Sequence, residues 1–157
     1  MLCLGRHWDA RTFKYALRRT DVDGLPVPPI PPSLITLAGR VAADAATTLE
    51  ADMLIINRYA KGGDLGLHQD KDKDERPETI ARGVPVVSIS LGDDADFRFR
   101  GAKKTDPLQT IRLRSGDAFV FGGLSRLAYH GVHKIIAGAS PQYLDIGGRI
   151  NLTFRQF

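Results

Sequence analysis

The spacing of apolar and polar residues divides the chain into a helical first third and a strand-rich remainder. Between Leu34 and Leu49, apolar side chains recur every three or four residues, which predicts an amphipathic helix with Ser33 as its N-cap. From Asp52 onward the apolar runs are short and end at glycine-containing turns, which is typical of β-strands. The predicted strands are 52–59, 84–91, 97–99, 118–121 and 149–154.

Many short strands after one helix predict a mainly β protein with a flanking helix, built as a sandwich or a jelly roll. In 84–91, Val87, Ile89 and Leu91 alternate with serines, which indicates one buried face. Residues 70–83 are polar, highly charged and contain Pro77, so they are predicted to form a long mobile loop. A length of 157 residues fits a single domain.

Composition narrows the classes of protein. Hydrophobic residues at 43% and charged residues at 25% are ordinary globular values, so disorder is not expected. The single cysteine, Cys3, excludes an internal disulfide and a cysteine-based zinc site. Without a long apolar run or a secretory signal, we expect a cytoplasmic protein with no membrane partner. The formal net charge of +4 mildly favours a polyanionic partner such as nucleic acid.

Three residues form a candidate metal site. His68 and Asp70 are two positions apart, so on a strand both side chains point to one face, and His130 in another strand-like segment is the candidate third ligand. Two imidazoles and one carboxylate can hold iron(II) and leave the opposite face open for a co-substrate and O₂. A single histidine more often has a structural role, which is the interpretation for His7 and His133. Zinc uses the same donor set.

The last strand favours iron over zinc. Arg149, Asn151, Thr153 and Arg155 alternate along the chain, so they are predicted to share one strand face. The planar guanidinium group can bind a carboxylate through two parallel hydrogen bonds. Two such arginines near the metal site favour iron together with an organic dicarboxylate.

Five motifs together resemble the bacterial AlkB family of Fe(II)- and 2-oxoglutarate-dependent dealkylases of DNA and RNA bases. They are Asn57-Arg58-Tyr59, Leu67-His68-Gln69-Asp70-Lys71-Asp72, Val87-Ser88-Ile89-Ser90-Leu91-Gly92, Gly122-Gly123-x-Ser125-Arg126 and Arg149-x-Asn151-Leu152-Thr153-Phe154-Arg155-Gln156. The resemblance runs from about Gly5 to the last residue. It implies a double-stranded β-helix of the jelly-roll type.

The resemblance also implies roles for individual residues. Iron would be held by His68, Asp70 and His130. The co-substrate 2-oxoglutarate would be held by Asn57, Tyr59, Arg149, Asn151 and Arg155, with Tyr59 and Asn151 as neutral donors. The alkylated base would be contacted by Trp8, Phe13, Tyr15, Asp72 and Lys104. In this set an aromatic ring stacks on the base, Asp72 faces an exocyclic amine or a cationic base, and Lys104 suits a phosphate.

The implied activity is oxidative demethylation of bases such as 1-methyladenine and 3-methylcytosine in DNA or RNA. The reaction would convert 2-oxoglutarate and O₂ to succinate and CO₂, and release formaldehyde. We expect a monomer in which 1–50 recognise substrate and buttress a jelly-roll core of 51–157. Members of the family commonly carry residues before the part that matches Gly5, so an N-terminal extension is expected to be lacking. Two alternatives stay open: a related dioxygenase acting on protein or a small molecule, and a non-catalytic nucleic-acid-binding jelly roll.

Overall fold

The computed structural model describes residues 1–71, 77–144 and 146–157, and these are built mainly from antiparallel strands. The helices are α1 (Pro32–Asp44) and α2 (Pro77–Ala81), and a 3-10 turn covers Gly123–Ser125. The strands are β1 (Leu2–Leu4), β2 (His7–Asp9), β3 (Lys14–Ala16), β4 (Met53–Tyr59), β5 (Leu65–His68), β6 (Val86–Gly92), β7 (Asp94–Arg100), β8 (Gln109–Leu113), β9 (Ala118–Phe121), β10 (Tyr129–Ile136) and β11 (Arg149–Arg155).

Two antiparallel sheets form the body of the protein. The five-stranded sheet has the order β1-β4-β11-β6-β9, and the four-stranded sheet has the order β5-β10-β7-β8. From β4 to β11 the chain crosses repeatedly from one sheet to the other, which is the path of a double-stranded β-helix. The predicted jelly-roll fold is confirmed. Strands β2 and β3 form a separate hairpin.

Alternation along β11 places apolar side chains on one side of the five-stranded sheet and polar side chains on the other. Leu152 and Phe154 join an apolar cluster with Ala38 and Ala42 of α1. Phe154 and both alanines have no exposed surface, and the small alanines let α1 lie close to the sheet. The opposite side of β11 carries Arg149, Asn151, Thr153 and Arg155, which share one strand face as the sequence predicted, and these side chains line a cavity.

Helix α1 differs from its prediction at both ends. It begins at Pro32 and has Pro31 as its N-cap residue without a capping side chain, so the predicted Ser33 cap is wrong. Proline suits the first helical position because its missing N–H would have no partner there. The helix ends at Asp44 rather than Leu49, because Ala46 has a left-handed φ of 54°. Leu49 still packs in the α1 cluster from the following segment.

Each of the five predicted strands overlaps an observed one, namely β4, β6, β7, β9 and β11. The prediction of a continuous loop over 70–83 is wrong, because α2 forms within it. Residues 72–76 lie outside the described residues. No helix in the described ranges is long and apolar enough to cross a membrane.

Strand β1 lies within residues 1–50 but pairs with β4, where Cys3 stands opposite Ile55. This part of the predicted recognition segment therefore extends the jelly-roll sheet. The division of the chain at residue 50 stays a prediction.

Candidate active site

A cavity of about 490 Å³ lies between the two sheets and the β2–β3 hairpin. Strands β4, β5, β10 and β11 contribute side chains to its wall, so both sheets are needed to form it. Most of the predicted site residues meet in this cavity: Trp8, Tyr15, Asn57, Tyr59, His68, Asp70, His130, Arg149, Asn151 and Arg155. Phe13 and Lys104 do not line it.

The candidate metal donors converge because β5 pairs with β10. His68 stands opposite His130 in the antiparallel register, and Asp70 follows just after β5. Nε2 of His68 is 3.3 Å from Oδ1 of Asp70, and Nε2 of His130 is 3.7 Å from Oδ2. The donor atoms all lie within 4.8 Å of one another, and no other such group occurs among the described residues.

Hydrogen bonds orient both imidazoles for metal binding. Nδ1 of His68 is 2.9 Å from the Gly66 carbonyl oxygen, and Nδ1 of His130 is 3.1 Å from the Ala128 carbonyl oxygen. A carbonyl only accepts, so each Nδ1 carries a hydrogen and each Nε2 faces Asp70. Oδ2 of Asp70 is buried and has no hydrogen-bond partner within the described ranges. Two Nε2 atoms and this oxygen fit the donor set of a two-histidine, one-carboxylate iron site.

The three metal-donor side chains shift one another's pKa values. Burial alone would raise the pKa of Asp70, but the His68 hydrogen bond and the charges of His130 and Arg155 hold it well below its usual value. Burial lowers the pKa of His130. For His68, burial also acts downward, but the hydrogen bond and charge of Asp70 outweigh it and the pKa is raised. Asp70 is therefore an anion and His130 a neutral imidazole, as metal ligation requires.

Two long-range hydrogen bonds join the segments that carry the donors. Nη1 of buried Arg126 donates to the Asp70 carbonyl at 2.6 Å, and the Gln69 side-chain amide donates to the Leu127 carbonyl at 2.6 Å. The segment after β5 is thus fixed to the segment before β10. Neither residue was singled out as functional in the sequence, although Arg126 lies in the Gly-Gly-x-Ser-Arg motif.

Arg149 is suited to bind an anion. It is 1% exposed, and its Nη2 donates to the Ser90 hydroxyl at 2.6 Å. Its Nε is buried and has no hydrogen-bond partner in the described part of the chain. Burial lowers the pKa of Arg149, and burial raises the pKa of neighbouring Tyr59 to about 12 against the charge of Arg149. Tyr59 is therefore a neutral phenol beside a buried cation, and the pair fits a carboxylate of 2-oxoglutarate.

Asn151 is already engaged within the protein. Its amide nitrogen donates to the Ser88 hydroxyl at 2.8 Å and to the Ile89 carbonyl at 3.2 Å, so both hydrogens are used. Its amide oxygen accepts from Thr153 at 2.8 Å. These bonds hold β11 against β6, and the role of Asn151 as a donor to the co-substrate stays a prediction. Asn57 stands directly opposite Asn151 in β4 and lines the cavity.

Arg155 connects the metal donors to the β2–β3 hairpin. One end of its guanidinium donates to the Asp70 carbonyl at 2.9 Å, and the other donates to the Tyr15 hydroxyl. Trp8 stands opposite Tyr15, with their ring centroids 4.8 Å apart. The hairpin therefore presents an aromatic wall to the cavity.

Two predicted substrate contacts lie outside the cavity lining. Phe13 is 52% exposed and contacts Trp8 edge-on from outside the cavity lining, at a centroid distance of 6.0 Å. Lys104 is exposed in the loop between β7 and β8. Asp72 lies outside the described residues.

The two histidines assigned structural roles are apart from the donor group. His133 is exposed, next to a register shift in β10. His7 is buried and its Nε2 contacts an oxygen of Asp21.

The structure adds residues that the strand pattern did not single out as functional. Ser88 and Ser90 in β6 are buried and orient Asn151 and Arg149 respectively. Their signal in the sequence was a pair of small polar residues inside an otherwise apolar strand. The Phe121 ring lies against His130 at a centroid distance of 4.6 Å and closes the apolar side of the metal site.

Known proteins share this architecture. A family model described as the 2OG-Fe(II) oxygenase superfamily matches residues 1–155. The alpha-ketoglutarate-dependent dioxygenase AlkB of Salmonella typhimurium is 42% identical over 98% of this chain and 67% of its own length. The DNA N(6)-methyladenine demethylase ALKBH1D of Arabidopsis thaliana is 39% identical over 100% of this chain. The solved structure of OsALKBH1 matches with a TM-score of 0.91 and 35% identity, over 99% of this chain and 76% of that one.

The extent of these matches differs between relatives. This chain spans about two fifths of the length of the Arabidopsis relatives ALKBH1D and ALKBH1C, at 39% and 38%. The superfamily match and the Salmonella match both include the cavity-lining strands. The chain therefore belongs to the 2OG-Fe(II) oxygenase superfamily and, within it, to the AlkB family.

Proposed function

We propose that this protein is an Fe(II)- and 2-oxoglutarate-dependent dioxygenase that removes N-methyl groups from nucleic-acid bases. The observation that carries the proposal is the meeting of three features in one cavity. These are the His68–Asp70–His130 donors, the buried guanidinium of Arg149 and the aromatic wall of the β2–β3 hairpin. Each feature matches one participant, namely the metal, the co-substrate and the base.

In this proposal His68, Asp70 and His130 hold iron, while Arg149 and Tyr59 bind one carboxylate of 2-oxoglutarate. Arg155 lies beside Asp70 and would add its charge on the metal side of the co-substrate. When bound, iron and 2-oxoglutarate supply the oxidation of the N-methyl carbon. The Phe121 ring beside His130 keeps water from that side of the metal donors.

The base is proposed to stack on Trp8, which lies on the cavity wall beside Tyr15. Methylation on the pairing edge weakens base pairing and makes the base easier to flip out of a duplex. A cationic methylated base also stacks more favourably on an aromatic ring. The predicted role of Asp72 as an acceptor stays part of the proposal.

The names of relatives support nucleic acid as the substrate class but do not decide between DNA and RNA. The Arabidopsis relatives are named DNA N(6)-methyladenine demethylases. A relative from Schizosaccharomyces pombe, 28% identical over 98% of this chain, is named a tRNA demethylase. A monomeric state and a cytoplasmic location stay predictions of the sequence.

The test supplies purified protein with Fe(II), 2-oxoglutarate and O₂, and with DNA or RNA oligonucleotides carrying 1-methyladenine, 3-methylcytosine or N6-methyladenine. Mass spectrometry should show loss of the methyl group from at least one oligonucleotide, with succinate and formaldehyde formed alongside. The His68→Ala variant should form neither product, whereas His133→Ala should retain turnover. Succinate formation with every oligonucleotide unchanged would move the function to a protein or small-molecule substrate.

A further inference from the structure

Two arginines of β7 face away from the cavity. Successive side chains of a strand alternate, so Phe97 and Phe99 pack toward the interior while Arg98 and Arg100 share the outer face of the four-stranded sheet. Both arginines are half-buried, and the Nε of each is shielded from solvent. Positions two apart on a strand are separated by roughly 6.6 Å, so the two charges are adjacent.

Within residues 1–71, 77–144 and 146–157, neither arginine forms an ion pair. In the residues that the structure describes, Arg98 forms no ion pair or side-chain hydrogen bond, and the Nε of each arginine has no partner. Arg100 donates through Nη1 to the Lys104 carbonyl. The neighbouring strand provides a contrast on the same face, because Arg112 is paired with Asp96 at 2.7 Å. Arg98 and Arg100 lie toward the end of β7 that is nearer the β7–β8 loop, past this ion pair.

This end of β7 adjoins the segment at the cavity wall. The Gln69 amide, already bound to the Leu127 carbonyl, lies 3.5 Å from the Ala102 carbonyl just after β7. Lys71, two residues after Gln69, lines the cavity. The β7–β8 loop itself carries two further cations, Lys103 and Lys104, and both are exposed. The loop's own Asp106 accepts from the Lys103 backbone N–H at 2.9 Å, so that carboxylate is turned into the loop.

We propose that Arg98 and Arg100 form a phosphate-binding surface for the nucleic-acid strand that continues beyond the reacting nucleotide. Arginine forks match phosphate oxygens, and an unpaired half-buried guanidinium has already lost part of its hydration, which favours an anionic partner. This inference rests on the proposed function, since the cavity takes one base and the rest of the strand must leave along a surface. It assigns to the protein a preference for oligonucleotides over short fragments.

The test measures binding and turnover separately. Fluorescence anisotropy with a labelled, unmodified single-stranded DNA of twelve nucleotides gives the affinity of the Mn(II)- and 2-oxoglutarate-loaded protein over a range of salt. In the Arg98→Gln, Arg100→Gln double variant the affinity should fall roughly three- to tenfold. The slope of log affinity against log salt should become shallower by roughly 0.7 for each lost phosphate contact. Arg112 lies on the same face but is paired with Asp96, so Arg112→Gln should leave the affinity and the salt slope unchanged.

Turnover separates this surface from the site of the reacting base. With methylated substrates, kcat/KM of the double variant should fall more for the twelve-nucleotide substrate than for a trinucleotide. Equal losses on both substrates, or an unchanged affinity and salt slope, would overturn the assignment. Failure of the proposed function has a different signature, because the wild-type protein would then bind the unmodified strand with the expected salt slope yet demethylate nothing.

Discussion

The charged side chain of Arg149 is buried, so its role in binding a carboxylate can be tested by substitution. Its guanidinium is held by Ser90 on one side and has an unpartnered Nε on the other, within the described residues. Burial lowers the pKa of Arg149, because the charged form has lost hydration. A bound carboxylate would supply what is missing.

Arg149→Lys should therefore weaken 2-oxoglutarate binding. A lysine ammonium cannot reproduce the planar fork, and the loss of a charge-assisted hydrogen bond costs roughly 1.5–3 kcal/mol. Isothermal titration of the Mn(II)-loaded protein with 2-oxoglutarate measures the change. Arg112→Lys, which lies on the outer face, should titrate like the wild type. A Kd for Arg149→Lys equal to that of the wild type would remove this residue from the co-substrate site.

Trp8 is the single tryptophan of the chain, so its fluorescence reports on the cavity wall directly. Trp8→Ala should cost roughly 1–3 kcal/mol in binding of a methylated oligonucleotide, because a base–aromatic stack is lost. KM should rise while succinate formation without nucleic acid persists, since the metal donors are untouched. Trp8→Phe should recover most of the loss. If Trp8→Ala left KM unchanged, or if wild-type fluorescence did not respond to substrate, the proposal that the base stacks on Trp8 would be wrong.

Among the elements, the pairing of β5 with β10 decides whether the metal donors meet. Gly131 follows His130 directly, and a Cβ at this position would lie 2.4 Å from the Leu65 carbonyl oxygen and 2.8 Å from the Gly66 carbonyl oxygen. Both atoms belong to backbone, which cannot turn aside as a flexible side chain does. The close approach of the two strands therefore requires glycine.

We expect Gly131→Ala to push β5 away from β10 and to separate His68 from His130. Both the Mn(II) affinity and the thermal stability should fall, and the loss of affinity should be at least as large as the loss of stability when both are expressed as free energies. Titration measures the affinity, and thermal unfolding measures the stability. Gly66→Ala is the matched control, because a Cβ there meets no atom within 4 Å. A Gly131→Ala protein that binds Mn(II) as tightly as Gly66→Ala would show that the strand spacing does not set the donor geometry.

The elements also show which features can be predicted from sequence. Alternation in β11 placed Arg149 and Arg155 on one face correctly, because the period of two is a local property of strands. The end of α1 could not be predicted, since nothing in Ala45-Ala46 signals the left-handed residue that stops the helix. The hydrogen bond from Arg126 to the Asp70 carbonyl could not be predicted either, because it joins residues 56 positions apart.

At the scale of the whole molecule, the active site lies where the two sheets meet. His68 and His130 come from the four-stranded sheet, whereas Tyr59 and Arg149 come from the five-stranded sheet. Two separate apolar clusters stabilise the two sheets. One lies under α1, and the other lies around Tyr59, Phe97 and Val132. Ligands bound between the sheets would therefore bridge two packing units and stabilise the fold as a whole.

This arrangement predicts a ligand-dependent stability. Binding at a hundredfold excess over Kd adds about 2.7 kcal/mol to the free energy of unfolding. For a chain of this size that raises Tm by roughly 5–10 °C. Mn(II) with 2-oxoglutarate should give this rise in the wild type and in His133→Ala, because His133 is exposed outside the donor group. His68→Ala should lose it, since the metal has lost one of its three protein donors. An equal rise in His68→Ala, measured by differential scanning calorimetry, would mean that the ligands stabilise the protein from a site other than the cavity between the sheets.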